Sequence, residues 1–281
     1  MKPKVRAVLI WSAIGCLALI VIINFIFNHA ATSSASPTNI DTLKGDTNKE
    51  QQNKLHNRKT PVPITVTEQG NVALPLGKLI DNIPTKDNKT VYLTFDDGPG
   101  VYTKEIDSIL HQNGVHGSFF WIEDQITNDL GHFGHQMIQQ GNVIGSHTMH
   151  HDALGKENAE QQQQDLATSA DLIGKKIGEK IVYMRPPYGS VNKYTKQVAK
   201  GIGEYIVFWQ VDSLDWSLAH NPEKILSNIE HDGVKPGSII LMHERKQTVK
   251  MLPKVIQYLR SKGYNMVALP ASPIPKEEIR S

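Results

Sequence analysis

The feature that most constrains the fold is an alternation of short apolar runs with longer polar segments from Thr90 onward. The short runs are rich in β-branched and aromatic residues, and the polar segments have helical periodicity. Together these patterns are typical of repeated βα units around a parallel sheet. The predicted strands are VYLTF, GSFFWI, NVIGSH, IVYMR, YIVFWQVD, SIILMH and YNMVAL. The clearest predicted helices are 103–113, 157–177, 222–231 and 248–262.

Polar residues fall at the carboxyl ends of these strands, which bears on the choice between an open sheet and a barrel. In an α/β barrel the strand ends converge on one rim, so that residues far apart in sequence meet there. An open sheet would spread them along a line. We therefore predict a barrel whose rim carries Asp96, Asp97, His147, Arg185, Asp212 and His243.

The N-terminal region predicts a membrane anchor. Residues 7–27 carry no charge, and their length matches the roughly 20 residues that a helix needs to cross a bilayer. Basic residues precede this run and are absent after it until Lys44, which predicts that residues 1–6 are cytoplasmic and the rest extracellular. The alternative is a signal peptide cleaved near Ala35, in the small-residue run ATSSAS.

Residues 28–88 are rich in Ser, Thr, Asn, Gln, Lys and Pro, a composition typical of a tether without its own core. The part at 61–88 contains more Val, Ile and Leu, and the sequence leaves open whether it packs on the domain. We expect the folded domain at 89–270 and a short tail at 271–281.

Charge and cysteine content exclude two classes of site. The 30 basic and 28 acidic residues give a formal charge of +2, too close to neutral to indicate a nucleic-acid partner. Cys16 is the one cysteine, so neither an intramolecular disulfide nor a cysteine-based zinc site is expected. A metal would have to be bound by histidine and carboxylate.

The segment SHTMHH supplies such ligands. His147 and His151 lie four residues apart, and the carboxylates of Asp96 and Asp97 follow another strand. Two imidazoles and one carboxylate are a common ligand set for catalytic zinc, and other divalent transition metals also accept it. His150 competes with His151 for this role, and a lone pair of histidines at this spacing also occurs by chance.

The adjacent carboxylates Asp96 and Asp97 are expected to divide their roles, because like charges in one site push their pKa values apart. One can bind a metal while the other accepts a proton from water. The alternative is structural, since Asp-Asp-Gly-Pro is also a sensible turn at a strand end.

Other strand-end residues complete a possible hydrolytic site. His243 is a candidate proton donor for a departing amine, Asp215 could support it, and Arg185 could orient the catalytic aspartate. Purely structural ion pairs are the alternative. In RPPYG, the backbone amide of Tyr188 is a candidate oxyanion donor. Tyr188 and Trp216 are candidates to flank a sugar ring, or else fill the core.

Taken together, TFDDGPG, SHTMHH, RPPYG, DSLDW and LMH resemble the five ordered motifs of the polysaccharide deacetylases, carbohydrate esterase family four, also called the NodB-homology domain. The resemblance covers residues 89–270. It implies a distorted (β/α)7 barrel and an enzyme that removes acetyl groups from N-acetylated sugars.

The resemblance also implies a role for each motif residue. Asp96 would be the base, and Asp97, His147 and His151 the ligands of one divalent metal. Zinc is the expected metal, with cobalt or another divalent transition metal as alternatives. Arg185 would orient the base, Tyr188 would supply the oxyanion amide, and Asp215 would support the acid His243. The residues expected to bind substrate are Pro186, Tyr188, Trp216 and Leu241.

The expected function is therefore metal-dependent deacetylation of N-acetylglucosamine or N-acetylmuramic acid in cell-wall peptidoglycan, by a domain tethered outside the membrane. Two alternatives remain at this point. The same residues would serve an esterase acting on O-acetyl groups of a cell-wall glycan, or the barrel would be a non-catalytic glycan-binding module.

Overall fold

A computed structural model describes residues 65–66 and 72–275. The predicted cytoplasmic segment 1–6, the anchor 7–27, most of the tether and the last six residues lie outside these ranges. Within the described ranges, no helix combines the length and the apolar character needed to cross a bilayer.

The main sheet consists of parallel strands, as the βα pattern predicts. Its strands are β3 (Leu79–Ile80), β4 (Thr90–Gly98), β5 (Ser118–Trp121), β6 (Val143–Ser146), β7 (Tyr183–Met184), β8 (Tyr205–Val207), β9 (Val211–Asp212), β10 (Ile239–His243) and β11 (Asn265–Val267). They are hydrogen-bonded in the order β3-β8-β7-β6-β5-β4-β10-β9, and β11 pairs with the first half of β4. A smaller sheet joins β1 (Thr65–Val66), β2 (Val72–Leu74) and β12 (Ile274–Pro275).

Six α-helices in the described ranges alternate with the strands. The helices predicted most clearly are confirmed to within two residues at each end, and two further helices complete the set. The bounds are α1 (Thr103–Gln112), α2 (Asn128–Gln139), α3 (Ala159–Ile177), α4 (Thr195–Ile202), α5 (Lys224–Asp232) and α6 (Lys246–Ser261). The longest, α3, begins with a capping box of Asn158 and Gln161 and ends at Gly178, whose φ of 77° is left-handed.

The segment YIVFWQVD was predicted as one strand, and this was wrong. Its first half, β8, pairs with β7, and its second half, β9, pairs with β10. These halves lie toward opposite ends of the hydrogen-bonded order, yet only residues 208–210 connect them. Four residue steps reach at most about 14 Å, so the sheet must curl back on itself. The fold is therefore a curled half-barrel, and no continuous ring of strand pairing closes it within the described residues.

The region just before the predicted domain packs on it, which answers part of the question that the sequence left open. Strand β3 pairs with β8, and the side chains of Leu74, Ile80 and Ile83 are buried. The backbone N–H of Ile83 donates to the carbonyl oxygen of Gly237 at 2.9 Å. At the other end, β12 pairs with β2, so packing also continues beyond residue 270.

The alternation of side chains along β4 positions the site. Val91, Leu93 and Phe95 join the cluster that packs against the helices. Tyr92 belongs to the other cluster, inside the curl. Because successive side chains of a strand point to opposite faces, Asp96 is directed to the same inner face as Tyr92.

Candidate active site

The predicted rim exists, and neighbouring strands bring its residues together. His243 of β10 is the register partner of Asp96 on β4. His147 directly follows β6, and Arg185 directly follows β7. The strands are parallel, so their carboxyl ends lie at one edge of the curled sheet.

Asp97, His147 and His151 form a potential metal site. Their ligand atoms all lie within 4.8 Å of one another. Oδ1 of Asp97 is 3.6 Å from Nε2 of His147 and 3.1 Å from Nε2 of His151. Ligand atoms of a tetrahedral site with bonds near 2 Å are separated by about 3.3 Å, so this donor set fits a divalent cation.

The surroundings of His147 prepare it as a ligand. Its Nδ1 donates to the carbonyl oxygen of Arg185 at 2.7 Å, which leaves the lone pair of Nε2 facing Asp97. Burial lowers the pKa of His147 to about 4, although the charges of Asp96 and Asp97 oppose the shift. His147 is therefore neutral near pH 7, the form that binds metals.

Asp97 is held as an anion. Burial raises the pKa of this carboxyl, but the hydrogen bond from His151 and the positive charge of His243 outweigh burial and lower it below its usual range. Its second oxygen, Oδ2, accepts from Nη2 of Arg245 at 2.7 Å. One oxygen of Asp97 thus faces the two histidines, while Arg245 holds the other.

His150 is not part of this group. Its Nδ1 pairs with the carboxylate of Asp124, and its side chain is 58% exposed. The geometry therefore favours His151 over His150 as the second histidine.

Asp96 is fixed by a fully buried arginine. Nη1 of Arg185 donates to Oδ1 of Asp96 at 2.7 Å and to Oγ1 of Thr94 at 2.9 Å. The other guanidinium nitrogens donate to the carbonyl oxygens of Val207 and Phe208. Oδ2 of Asp96 lies 3.7 Å from Nε2 of His147, so the oxygen that Arg185 does not bind is turned toward the metal ligands.

We expect Arg185→Met to lower the free energy of unfolding by about 3 to 5 kcal/mol, because it leaves Asp96 charged, buried and unpaired. Urea denaturation of the metal-free protein measures this change. The matched control is Lys175→Met, which breaks an ion pair with Asp171 whose side chains are both more than half exposed. Its expected cost is below about 1 kcal/mol. Equal costs for both variants would contradict the structural importance assigned to the buried pair.

His243 and Asp215 form a second charged pair. Nδ1 of His243 donates to Oδ1 of the buried Asp215 at 2.6 Å, and the main-chain N–H of His243 donates to Oδ2 at 2.7 Å. Thr248 also donates to Oδ2. Burial lowers the pKa of His243, but the charge of Asp215 and its hydrogen bond raise it to a net value of about 9. His243 is therefore an imidazolium near pH 7, with Nε2–H available to donate.

Removing the charge of Asp215 should lower the pKa of His243 from about 9, because burial then acts with less opposition, although Asp96 and Asp97 still raise it. NMR titration of the imidazole signals in metal-free wild type and Asp215→Asn measures the pKa of His243. The signal of His243 is assigned by its absence from His243→Gln. The raised pKa means that the pair's contribution to folding stability is complete below pH 6.5 and is lost as pH rises through about 9. Unchanged titration in Asp215→Asn would contradict the pairing.

The predicted substrate-binding residues adjoin these groups along the chain: Pro186 follows Arg185, Trp216 follows Asp215, and Leu241 lies on β10 with His243. Pro186 is buried, and Tyr188 is half-buried in the turn Pro187–Gly189. The ring centroids of Tyr188 and His151 are 4.7 Å apart, in a T-shaped arrangement. Leu241 is buried in the cluster inside the curl. Trp216 is half-buried, and its buried indole N–H has no hydrogen-bond partner among the described residues.

Unusual backbone conformations concentrate in the loops that carry this site. Non-glycine residues rarely adopt positive φ angles, and such conformations tend to cluster at functional sites. In the described ranges six do so, and five of them lie in the rim loops: Asp97, Thr148, His151, Tyr188 and Leu214. Tyr188, the predicted oxyanion residue, has a φ of 59°.

Two residues that support the site, Glu244 and Arg245, were not predicted from the sequence. Arg245 contacts Asp97, as described above, and the buried carboxyl of Glu244 accepts from the indole N–H of Trp121. Both follow His243 at the end of a strand. A charged pair directly after a predicted rim residue is the signal that would have marked them.

Comparisons with known proteins find a matching family model and similar chains. A family model described as polysaccharide deacetylase matches residues 84–207. The chain is similar to the peptidoglycan-N-acetylglucosamine deacetylase of Listeria monocytogenes, at 31% identity over 70% of this chain and 41% of the relative. It is also similar to the peptidoglycan-N-acetylmuramic acid deacetylase of Bacillus subtilis, at 30% identity over 64% of this chain and 70% of the relative.

A solved structure is similar in fold as well as sequence. It is the crystal structure of a peptidoglycan N-acetylglucosamine deacetylase in complex with a substituted benzamide. The two chains share 29% identity and a TM-score of 0.62, over 69% of this chain and 91% of the other. By contrast, this chain spans less than half the length of the Listeria relative.

Proposed function

The chain belongs to the polysaccharide deacetylase family, and on this premise we propose that it hydrolyses N-acetyl groups of cell-wall peptidoglycan. The proposed substrates are N-acetylglucosamine or N-acetylmuramic acid, the sugars named for its Listeria and Bacillus relatives. The observation that carries the proposal is the meeting of a two-histidine, one-carboxylate group with two buried charged pairs at one rim.

The proposed metal is a single divalent cation, with zinc preferred and cobalt as an alternative, held by Asp97, His147 and His151. The neutral imidazole of His147 and the anionic Asp97 support this assignment. When bound, such a cation supplies Lewis acidity, which polarises a carbonyl oxygen and makes water easier to deprotonate.

Asp96 is the proposed base that accepts the proton of the attacking water. Its support is the contact with Arg185, which fixes Oδ1 and leaves Oδ2 toward the metal ligands. A base must lie within hydrogen-bond reach of the proton that it accepts. Because Arg185 already fixes Oδ1 of Asp96, the side chain of Asp96 needs little movement to present Oδ2 to that proton.

His243 is the proposed acid that protonates the departing amine. Because Asp215 raises the pKa of His243 to about 9, the ring carries its proton at neutral pH. The backbone N–H of Tyr188 is the proposed donor to the oxyanion. Trp216 and Leu241 are the proposed walls of the acetyl pocket, and Pro186 is a further proposed substrate-binding residue. We also propose that the complete domain has the distorted (β/α)7 barrel of the family.

A substrate panel tests the reaction class. We expect the full-length protein with added zinc or cobalt to release acetate from N-acetylglucosamine oligomers or peptidoglycan, and to act more slowly on O-acetylated glycans. Faster release from O-acetyl groups would favour the esterase. Glycan binding without any release would favour a non-catalytic module.

We further propose that residues 7–27 anchor the domain outside the cell membrane. The uncharged run of about bilayer length and the basic residues before it support this location. Membrane fractionation and protease digestion of intact cells test it. Release of the protein with a new N-terminus near Ala35 would instead show a cleaved signal peptide.

A further inference from the structure

We propose that Glu244 is a positioning residue that holds the Asp96 loop in register with His147 and His243. This loop is defined as the bulged end of β4 and the turn that follows it, residues 96–102. This role rests on the proposed function, since it concerns the same site. Glu244 directly follows His243 and points to the helix side of the sheet, away from the reacting groups. It acts through its neighbours and is not a catalytic residue.

The carboxyl of Glu244 joins two elements. Its Oε1 accepts from Nε1 of Trp121 at 3.0 Å, at the end of β5. Its Oε2 accepts from the hydroxyl of Thr103, the first residue of α1. The same hydroxyl accepts from the backbone N–H of Gly100 at 2.7 Å, so the carboxyl also fixes the end of the loop that begins with Asp96 and Asp97.

Backbone bonds extend these contacts to the reacting groups. The N–H of Glu244 donates to the carbonyl oxygen of Asp96 at 2.9 Å. The N–H of His147 donates to the carbonyl oxygen of Trp121 at 2.8 Å. Glu244 thus links the proposed base through its backbone N–H, and a proposed metal ligand through the contact of its carboxyl with Trp121.

Gly98 shows how closely the loop lies on this carboxyl. A Cβ atom at position 98 would lie 1.8 Å from Oε1 and 2.3 Å from Cδ of Glu244. Such distances are far below contact, so a side chain at 98 forces the loop or Glu244 to move. Glycine at this position is required by the close approach.

Glu244 is 7% exposed, and burial raises the pKa of its carboxyl to about 8 although Thr103 and Trp121 donate hydrogen bonds to it. A carboxyl that is easily neutralised does not position its neighbours mainly through charge. We infer that Glu244 positions its neighbours through the length of its side chain and its hydrogen bonds to Trp121 and Thr103. Glutamine retains the length, accepts from Trp121 through its amide oxygen, and can donate its N–H to the hydroxyl oxygen of Thr103. Aspartate keeps the carboxylate but is one methylene too short to reach both partners.

The test compares Glu244→Gln with Glu244→Asp in the full-length chain. We expect Glu244→Asp to weaken cobalt affinity by about 10-fold and to alter the visible spectrum of the cobalt-loaded protein, because supporting contacts of metal ligands have effects of that size. Glu244→Gln should stay within about threefold of wild type. Where deacetylation is measured, kcat should fall in Glu244→Asp while KM changes little.

The matched control is Glu204→Asp. Glu204 is also buried, and burial raises its pKa to about 8, but it precedes β8 at the amino end of the sheet, away from the rim. Its variant should lose stability without changing cobalt affinity or spectrum. The proposal is overturned if Glu244→Asp binds cobalt like wild type, if Glu244→Gln loses as much as Glu244→Asp, or if Glu204→Asp has the same effect.

A second pair of variants tests the contact itself. Gly98→Ala should weaken cobalt affinity by at least about 10-fold, and adding Glu244→Ala should recover part of that loss by removing the opposing carboxyl. Additive losses would overturn the proposed contact. Cobalt binding requires no glycan, so failure of this proposal is distinct from failure of the proposed deacetylase activity.

Discussion

Replacing Asp96 with asparagine should lower kcat for deacetylation by about 10²- to 10⁴-fold while the protein still binds its metal. The amide keeps the shape of the side chain and can still accept the hydrogen bond from Arg185, but it cannot take a proton from water. Because Arg185 is buried and loses its counter-charge, the variant should also unfold at a lower temperature.

The experiment measures kcat and bound metal in the same Asp96→Asn preparation, at a temperature where circular dichroism shows a native fold. Asp107→Asn is the matched control, since Asp107 is a buried aspartate on α1 whose carboxylate accepts a hydrogen bond from Asn142. Its activity should match wild type. Near-normal kcat in Asp96→Asn would remove Asp96 from the role of base.

Replacing Asp97 with alanine should weaken zinc or cobalt affinity by more than about 100-fold, because it removes one of the three proposed ligands and the anionic one among them. The two histidines remain, but the charge that balances the cation is lost, and Arg245 loses its partner. Activity should disappear at metal concentrations that saturate wild type.

Competition with a chromogenic chelator measures this affinity directly. Asp124→Ala is the control, because it breaks an exposed contact to the neighbouring His150 instead of the contact to His151. Its metal affinity should be unchanged. If Asp97→Ala retained wild-type affinity, or Asp124→Ala lost it, the assigned ligand set would be wrong.

Local sequence patterns were sufficient for much of the fold. The alternation of apolar runs and helical segments predicted the parallel sheet and the clearest helices. The break within YIVFWQVD was not visible, because every residue up to Gln210 suits a strand. The strand is divided because its two halves pair with different neighbouring strands: β8 pairs with β7, and β9 pairs with β10.

For the site, residue type and motif order predicted which side chains meet, but not what supports them. Arg245 and Asp97 are separated by 148 positions, and Glu244 and Trp121 by 123. No local periodicity reports contacts across such distances. Strand-end position identified His243 because imidazole suggests chemistry, whereas Glu244 and Arg245 carry common surface residue types in sequence.

Metal-dependent deacetylation is tested most directly by acetate release from peptidoglycan and N-acetylglucosamine oligomers as metal is removed and restored. We expect the full-length protein to release acetate when loaded with zinc or cobalt, to stop after chelation, and to recover on adding the metal back. Asp96→Asn should bind the metal and release almost none. Absence of release from every N-acetylated glycan by protein with a filled metal site would contradict the account.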